Sequence, residues 1–366
     1  MLTLIKKLQL INRRRKDNQQ SRFRGDEEKK FIKASCMPGE GLTKEEKKQI
    51  EDKWGGIVPI PLSRGYDYYL GMKCLDRFDA NYLPACYYMP YILNTLNLRN
   101  HKGRLNHKSL LQLIYDNGIK HPRTIVRSYG GLLLDEKYRP LLRNEAVEII
   151  KKQKCNLLYK PATGPGRGRG IELLSSTSDI ERLCSEIADG ELIRKGDFVI
   201  QEPVQQCIDT EMFNPTSLNC MRITTLNINN LVSPCSFALK CGPAGSVVDN
   251  IGVGKRGVIV GIDPGGNLRE YGFYGNGEKA TAHNGVEFKG KHIPHFDRVV
   301  NAAVELHKFV DGCSIVGWDI ALDVQHNPVL IEGNTGIPGI SFEQMCSGPI
   351  FGERTNEVIN YIKRNK

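Results

Sequence analysis

No apolar run in this 366-residue chain approaches the roughly 20 residues that a membrane-spanning helix needs, which argues against a helical span. The N-terminus lacks the uninterrupted apolar core and small-residue cleavage site of a secretory signal, so none is expected. Cys-x-x-Cys is missing too, and no cysteine stands at zinc-ligand spacing with a histidine pair. The eleven cysteines, scattered from Cys36 to Cys346, therefore read as reduced and mostly buried thiols. The body also has little net charge. Of the +10 total, residues 1–50 supply 14 Lys/Arg against 7 Asp/Glu, which leaves +3 for everything after them. A nucleic-acid footprint spreads basic charge over the body, so that class is not expected. Internal repeats and low-complexity tracts are absent. What remains is a cytosolic enzyme or binding protein of two or three domains, 40% hydrophobic and 25% charged.

The N-terminal run "MLTLIKKLQLINRRRK" sets Leu4, Leu8 and Ile11 on one helical face with Ile5 beside them, then places Arg13, Arg14, Arg15 and Lys16. This predicts a short amphipathic helix with a basic end, either docked on the protein's own body or resting on an anionic membrane surface. Charged "KEEKKQIED" predicts a helix over 44–52, and seven tyrosines crowd residues 66–91. Those rings suit a helical cap with its own small core, or a sugar-binding surface. A further helix is expected from Lys108 to Asp116, ended by Asn117-Gly118. Beyond it, helices are expected over 144–153, 177–188 and 297–310. Strands are expected at "NLLYK", "GIELL", "FVIQEPV", "MRITTLNI", "CSFALKC", "IVGWDIALDV" and "PVLIEGN". Strands following one another directly imply an α+β fold, with antiparallel sheets and helices on one side of each.

Two constellations carry chemistry. The first is "YKPATGPGRGRGIELL". No Lys-Ser/Thr follows a glycine, so it is not a Walker A loop, and Arg169 and Ile171 stand where Gly-x-Gly-x-x-Gly needs its third glycine. Strand, glycine loop, strand is the simplest geometry. A hairpin free of Cβ atoms at Gly164, Gly166, Gly168 and Gly170 can close its backbone N–H groups over a phosphate tail. A plain surface turn or an RNA contact would use the same residues. The second constellation is "GWDIALDVQHNPVLIEGN". Side chains alternate along a strand, so Glu332 and Asn334 share a face, and a hairpin partner would bring Asp319 beside them. Two carboxylates and an amide oxygen are hard ligands suited to Mg²⁺.

A lysine ending a strand, a glycine-rich hairpin, a strand ending in Gln-Glu, and an acidic strand followed by Glu-x-Asn together resemble the ATP-grasp superfamily over residues 120–345. "FVIQEPVQQ", "SLNCMRITTL", "DNIGVGKRG" and "LIEGNTGIPGI" resemble its sugar-transfer-associated group, similar to teichuronopeptide-synthesis proteins. The resemblance implies ATP held between two α+β subdomains. Lys160 would contact phosphate and Gly164–Gly170 would form a mobile lid. Gln201, Glu202, Pro203 and Val204 would form the adenine hinge, and Gln206 would reach the ribose. Arg222 and Lys240 would face the γ-phosphate or acyl phosphate, with Asn219 and Asn250 as polar partners. Asp319, Glu332 and Asn334 would hold one or two Mg²⁺. Lys255 or Arg256 stands where similar proteins carry a second glycine.

The implied activity is ATP-dependent carboxylate–amine ligation through an acyl phosphate, adding an amino acid or similar group in surface-polysaccharide biosynthesis. Specificity would lie in the tyrosine-rich region and near Lys255. A glycosyltransferase partner and peripheral membrane contact are further expectations. The rivals are a nucleotide-sugar transferase using Asp319 and Asp323, and an ATP-binding scaffold. The expected divisions are a basic arm over 1–50, a helical region over 51–120, and ATP-grasp subdomains over 121–203 and 204–366.

Overall fold

The structure is a computed structural model that describes residues 2–35, 41–59, 61–98, 105–164, 168–249, 251 and 257–365. Two sheets organise it, and among the described residues every strand pair within them is antiparallel. The smaller contains β1 (Thr124–Tyr129), β2 (Leu132–Leu134), β3 (Pro140–Leu141), β4 (Leu157–Pro161), β5 (Glu172–Leu174) and β6 (Phe198–Gln201), in the order β3-β2-β1-β6-β4-β5. Helices Arg143–Lys151, Thr177–Ala188 and Glu191–Lys195 cover it, and Ala146, Ile150, Leu183, Ile187 and Leu192 share one core with Leu157, Phe198 and Ile200. The helix Thr177–Ala188 starts where a sequence reading puts it. Ser176 accepts from Asp179 N at 3.1 Å while the Asp179 carboxylate accepts from Ser176 N, so two otherwise orphaned donors are satisfied.

The larger sheet contains β7 (Cys220–Ile228), β8 (Leu231–Cys241), β9 (Val258–Ile262), β10 (Leu268–Tyr274), β11 (Lys279–Ala280), β14 (Ile315–Leu322) and β15 (Pro328–Asn334), in the order β11-β10-β9-β8-β7-β14-β15. Two short strands, β12 (Ala282–His283) and β13 (Val286–Glu287), pair separately. β7 turns into β8 through Asn229 and Asn230, both left-handed, the conformation a tight two-residue hairpin demands.

The expectation of helices on one side holds for the small sheet and fails for the large one. Helix Phe296–Lys308 packs Val299, Ala303 and Leu306 against Met221, Ile223, Trp318 and Ile320. Helices Ser341–Ser347 and Thr355–Asn365, with the tyrosine-rich region, cover Leu226, Ile228, Ala238 and Ile315 on the opposite face. All eight residues of β14 are buried in consequence.

The N-terminal segments differ most from expectation. The first helix is long, Leu2–Ser35, rather than a short one ending near Lys16. Residues 9–16 are exposed, whereas Ser21, Gly25 and Glu28, spaced four and three apart, are buried against the body. The helix therefore docks through Ser21, Gly25 and Glu28 and leaves residues 9–16, basic from Arg13 to Lys16, in solvent. Tyr68, Tyr69, Tyr82, Tyr87 and Tyr88 are buried in a core, so of the two uses open to these rings the packed cap is the one observed. The helix expected over Lys108–Asp116 shrinks to one tight turn, Lys108–Leu110, and the short helix Leu111–Ile114. β6 stops at Gln201 because Pro203 has no N–H to continue the ladder. Among the described residues nine cysteines carry no disulfide and seven of them are buried, but Cys74 is disulfide-bonded, which departs from the all-reduced expectation. No described helix is long and apolar enough to cross a membrane.

Candidate functional site

Strand register builds the site. Asp319 lies directly across from Glu332 on β15 and from Arg222 on β7, and Lys240 lies across from Cys220, two residues before Arg222. Cross-strand partners project from the same face, so Arg222, Lys240, Asp319, Glu332 and Asn334 stand together. An Asp inside an apolar strand is thereby explained. Positions 316, 318, 320 and 322 fill one core, and Asp319 faces the other way.

The charges interlock. Arg222 holds Asp319 through both oxygens, Nε to Oδ1 at 2.7 Å and Nη2 to Oδ2 at 3.1 Å, while its Nη1 reaches Glu343 Oε1 at 2.9 Å. Lys240 Nζ bridges Asp249 at 2.9 Å and Asp319 at 3.2 Å. Asn334 Nδ2 donates to Asp319 Oδ2 at 3.2 Å, which leaves its amide oxygen for another partner. Lys108 Nζ reaches Glu332 Oε1 at 3.2 Å. Burial alone would raise the Asp319 carboxyl, but the Arg222 guanidinium and Lys240 ammonium hold it well below the usual carboxylate range. Burial opposes charge on Arg222 and Lys240 too, and their carboxylate neighbours outweigh it, so both stay cationic. Burial pushes the Glu343 carboxyl up, with Arg222 offsetting part of the effect.

Lys160 is the exception. It ends β4 opposite Val199, at the mouth of the glycine hairpin, and is 9% exposed. Among the described residues its ammonium has no hydrogen-bond or ion-pair partner. Burial and the neighbouring positive charge of Lys108 bring its pKa down to about 8, while Cys220, Glu332 and Asp249 pull the other way. A side chain of the small sheet thus senses charges on the large one. Lys108 spans the same junction, its N–H donating to Ala162 O at 3.0 Å.

The glycine segment is the hairpin expected, with Leu157 across from Leu174 and Tyr159 across from Glu172. Gly168 and Gly170 have φ of +67° and +78°, which L side chains rarely adopt. A Cβ on Gly168 would meet Val248 at 3.1 Å, so the hairpin comes down onto the loop after β8. Gly164 is exposed; Gly166 lies outside the described residues, as do Asn250, Lys255 and Arg256.

The other candidates spread along the strand junction. Gln201 donates to Thr124 Oγ1 at 3.0 Å and is buried. Glu202 N donates to Arg123 O at 3.0 Å, and its carboxylate pairs with Arg123. An open groove of about 600 Å³ runs beside Glu202, Pro203 and Val204 and is lined by Lys120, Arg123 and Asp323 as well, but by none of the charged cluster. Gln206 and Asn219 are absorbed in a buried network. Gln206 donates to Ser217 O at 2.9 Å and accepts from Asn219 N at 2.9 Å, and Asn219 Nδ2 donates to Thr210 O at 2.8 Å. Their amides shape the 206–219 loop, so the structure places neither as a free polar arm. Of the Gln206 and Asn219 amide atoms, Asn219 Oδ1 is the one buried without a partner among the described residues. Asp323, the transferase rival's second carboxylate, pairs with Lys120 at 2.7 Å and accepts from Asn327 N and Gln325 N, so it is occupied in closing the β14–β15 turn.

Sequence reasoning missed Lys108, Asp249 and Glu343. Asp249 opens the quoted "DNIGVGKRG" and was within reach; Lys108 looked like an ordinary helix start. Glu343 had no signal, since the short helix Ser341–Ser347 is recognisable only once it covers Arg222.

The fit to Mg²⁺ rests on the donors. Two carboxylates and an unspent amide oxygen on facing strands form a hard set, and the cations that neutralise them here are the groups a divalent ion would replace or share with. The unpartnered Lys160 ammonium likewise fits an anionic phosphate.

Among solved structures the chain is similar to the ATP-grasp ligase PsnB complexed with a minimal precursor, at 16% identity and TM-score 0.42, covering 73% of this chain and 64% of that one. It is similar to the biotin carboxylase domain of Hydrogenobacter thermophilus 2-oxoglutarate carboxylase in complex with MgADP, at 15% and 0.43, covering 72% and 46%. It is also similar to D-alanine–D-alanine ligase from Bacillus anthracis, at 13% and 0.39, covering 71% and 66%. The chain spans less than two thirds of each, and likeness at this level says nothing about chemistry. No curated protein matches it significantly by sequence. The profile of one family, described as sugar-transfer associated ATP-grasp, matches residues 90–360, a span that holds both sheets and the whole charged cluster. The chain belongs to the sugar-transfer-associated ATP-grasp family.

Proposed function

We propose that the protein is an ATP-dependent carboxylate–amine ligase. The observation that carries this is Lys160, a buried side chain whose ammonium has no partner among the described residues, set at the mouth of a glycine hairpin and facing a cluster in which each other cation already holds a carboxylate. A buried unpaired charge is costly, and a phosphate group supplies the missing partner. Gly168 and Gly170, both with positive φ, let the hairpin backbone approach that phosphate closely. The backbone of Glu202, Pro203 and Val204 forms the adenine edge, and Gln201 supports it through Thr124.

The reaction needs no side-chain nucleophile. A substrate carboxylate oxygen bonds to the γ-phosphorus of ATP as the bond to ADP breaks. The amine then bonds to the acyl carbon, phosphate leaves, and the nitrogen gives up a proton. Lys160, Arg222 and Lys240 offset negative charge on the transferring phosphoryl group. Asp319, Glu332 and Asn334 would hold Mg²⁺, which supplies further charge neutralisation when bound. Lys108 must release Glu332 for that set to be complete. The closed hairpin excludes water that would hydrolyse the acyl phosphate. In this reading Gln206 and Asn219 shape the loop after the hinge rather than touch nucleotide.

A sugar-linked or amino-acid acid and amine, in surface-polysaccharide synthesis, is the substrate class the family's description suggests. The solvent-facing residues 9–16, basic from Arg13 to Lys16 with Leu10 and Ile11 half exposed, favour contact with an anionic membrane surface near a glycosyltransferase. Co-sedimentation with anionic but not neutral vesicles, lost at high salt, is the expected result. The decisive experiment is a phosphate-release screen of acids crossed with amines, with products confirmed by mass. ADP and phosphate should appear only with both substrates, and Glu332→Ala should abolish release while the fold persists. ATP that binds without turnover under any pairing would overturn the ligase reading.

A further inference from the structure

The turn between β14 and β15 is clamped by the segment that follows Val204. Cys207 N donates to Leu322 O at 3.0 Å, and Gln206 bridges Asp323. That pairing gathers Cys207 Sγ, an Asp209 carboxylate oxygen and a His326 ring nitrogen, all within 4.8 Å of one another. His326 Nε2 lies 2.8 Å from Asp209 Oδ2. The Cys207 thiol is buried, while the Asp209 and His326 side chains are about a quarter exposed, at 27% and 28%, so an ion has a way in. The His295 ring meets His326 edge-on with centroids 5.7 Å apart, which puts a second imidazole beside the group. None of these residues belongs to the charged cluster around Asp319.

We propose that Cys207, Asp209 and His326 form a zinc-type transition-metal site. A thiolate, an imidazole and a carboxylate are the borderline-soft donors that select Zn²⁺ and its neighbours, whereas Mg²⁺ prefers oxygen alone. Metal–ligand bonds of about 2.0–2.3 Å put tetrahedral donors roughly 3.3–3.8 Å apart, which small side-chain rotations reach from the present spread. On binding, the Cys207 thiol releases one proton to solvent and its sulfur forms the bond. His326 binds through Nε2 with its remaining proton on Nδ1, and Asp209 binds as the carboxylate. Water or the His295 imidazole takes the fourth position. The bound ion ties the chain just after the hinge to the hairpin that carries Asp319 and Glu332, so occupancy stiffens one wall of the neighbouring site. The inference does not depend on the ligase reading.

Co²⁺ is the probe. The full chain, stripped with chelator under reducing conditions, is titrated with Co²⁺ in excess Mg²⁺. One equivalent should bind with a near-ultraviolet sulfur-to-cobalt charge-transfer band, and Zn²⁺ should displace it stoichiometrically. Cys207→Ser should lack the band, Cys155→Ser, at an exposed cysteine, should keep it, and Asp209→Asn and His326→Ala should each weaken binding at least about tenfold. Asp209 is partly exposed, so its variant keeps the test open if Cys207→Ser folds poorly, and circular-dichroism melts of the metal-free proteins establish which variants fold. Absence of the band in the unmodified chain, its persistence in folded Cys207→Ser, or unchanged Co²⁺ affinity in Asp209→Asn and His326→Ala overturns the proposal.

Discussion

Lys160 and His307 are both buried bases whose environment disfavours the proton, yet they serve different ends. Burial and Lys108 bring the Lys160 pKa down to about 8, with no partner for its ammonium among the described residues, so nucleotide phosphate should restore its charge. Binding above pH 8 is therefore expected to take up a proton, measurable by calorimetry in buffers of different ionisation enthalpy, and Lys160→Met should remove that uptake and weaken nucleotide binding at least tenfold, by about 1.4 kcal/mol or more. His307 is held neutral instead. Its Nδ1 meets Thr225 Oγ1 at 2.7 Å and its Nε2 meets Cys313 O at 2.8 Å, and burial brings its pKa down to about 4. The folded state thus resists protonation that the unfolded chain accepts near 6.5. This contribution is whole above pH 6.5 and is lost as pH falls toward 4, by about 3 kcal/mol. Denaturant titrations of His307→Gln across that range should show a flatter acid limb than the unmodified protein.

At the scale of elements the glycine hairpin and the β14–β15 hairpin do opposite jobs. The first has left-handed glycines and few side chains to pack, while the second is pinned by β7 and covered on both faces. Nucleotide with Mg²⁺ should therefore protect the 164–170 segment from proteolysis and leave 315–334 unchanged. Equal cleavage with and without nucleotide counts against a lid. Gly168→Ala should weaken this protection, because it strains the backbone by about 1–2 kcal/mol and crowds Val248. Much of this was legible in the sequence: β15 begins and ends where "PVLIEGN" does, and the hairpin follows from its glycines. The long first helix was not legible past Lys16, because its docked face runs through Ser21, Gly25 and Glu28, small or charged residues with no apolar period.

At the scale of the molecule, the tyrosine-rich cap is part of the site's scaffold. Asn97, at its end, donates to Ile315 O at 2.8 Å and Thr335 O at 2.7 Å and accepts from Ile315 N at 3.0 Å, locking the cap to the start of β14 and to the residue that follows β15. Gln344 does the same from the C-terminal side, accepting from Leu83 N and donating to Leu83 O, both at 3.0 Å. Asn97→Ala strands three buried backbone groups, so a loss of about 3 kcal/mol is expected in chemical denaturation, with reduced Mg²⁺-dependent nucleotide affinity in the variant that remains folded.

What the sequence determined by itself was local: strand periodicity, the hairpin around its glycines, and the hard-donor pattern of Asp319, Glu332 and Asn334, because alternation along a strand and turn chemistry act over a few residues. What only the tertiary structure decided was who meets whom across long separations. Lys108 on Glu332, Glu343 on Arg222, Asp249 on Lys240, and the gathering of Cys207, Asp209 and His326 depend on register between strands and on which helix covers which face. Those are set by burial of the whole apolar surface, to which each of these polar residues contributes almost nothing.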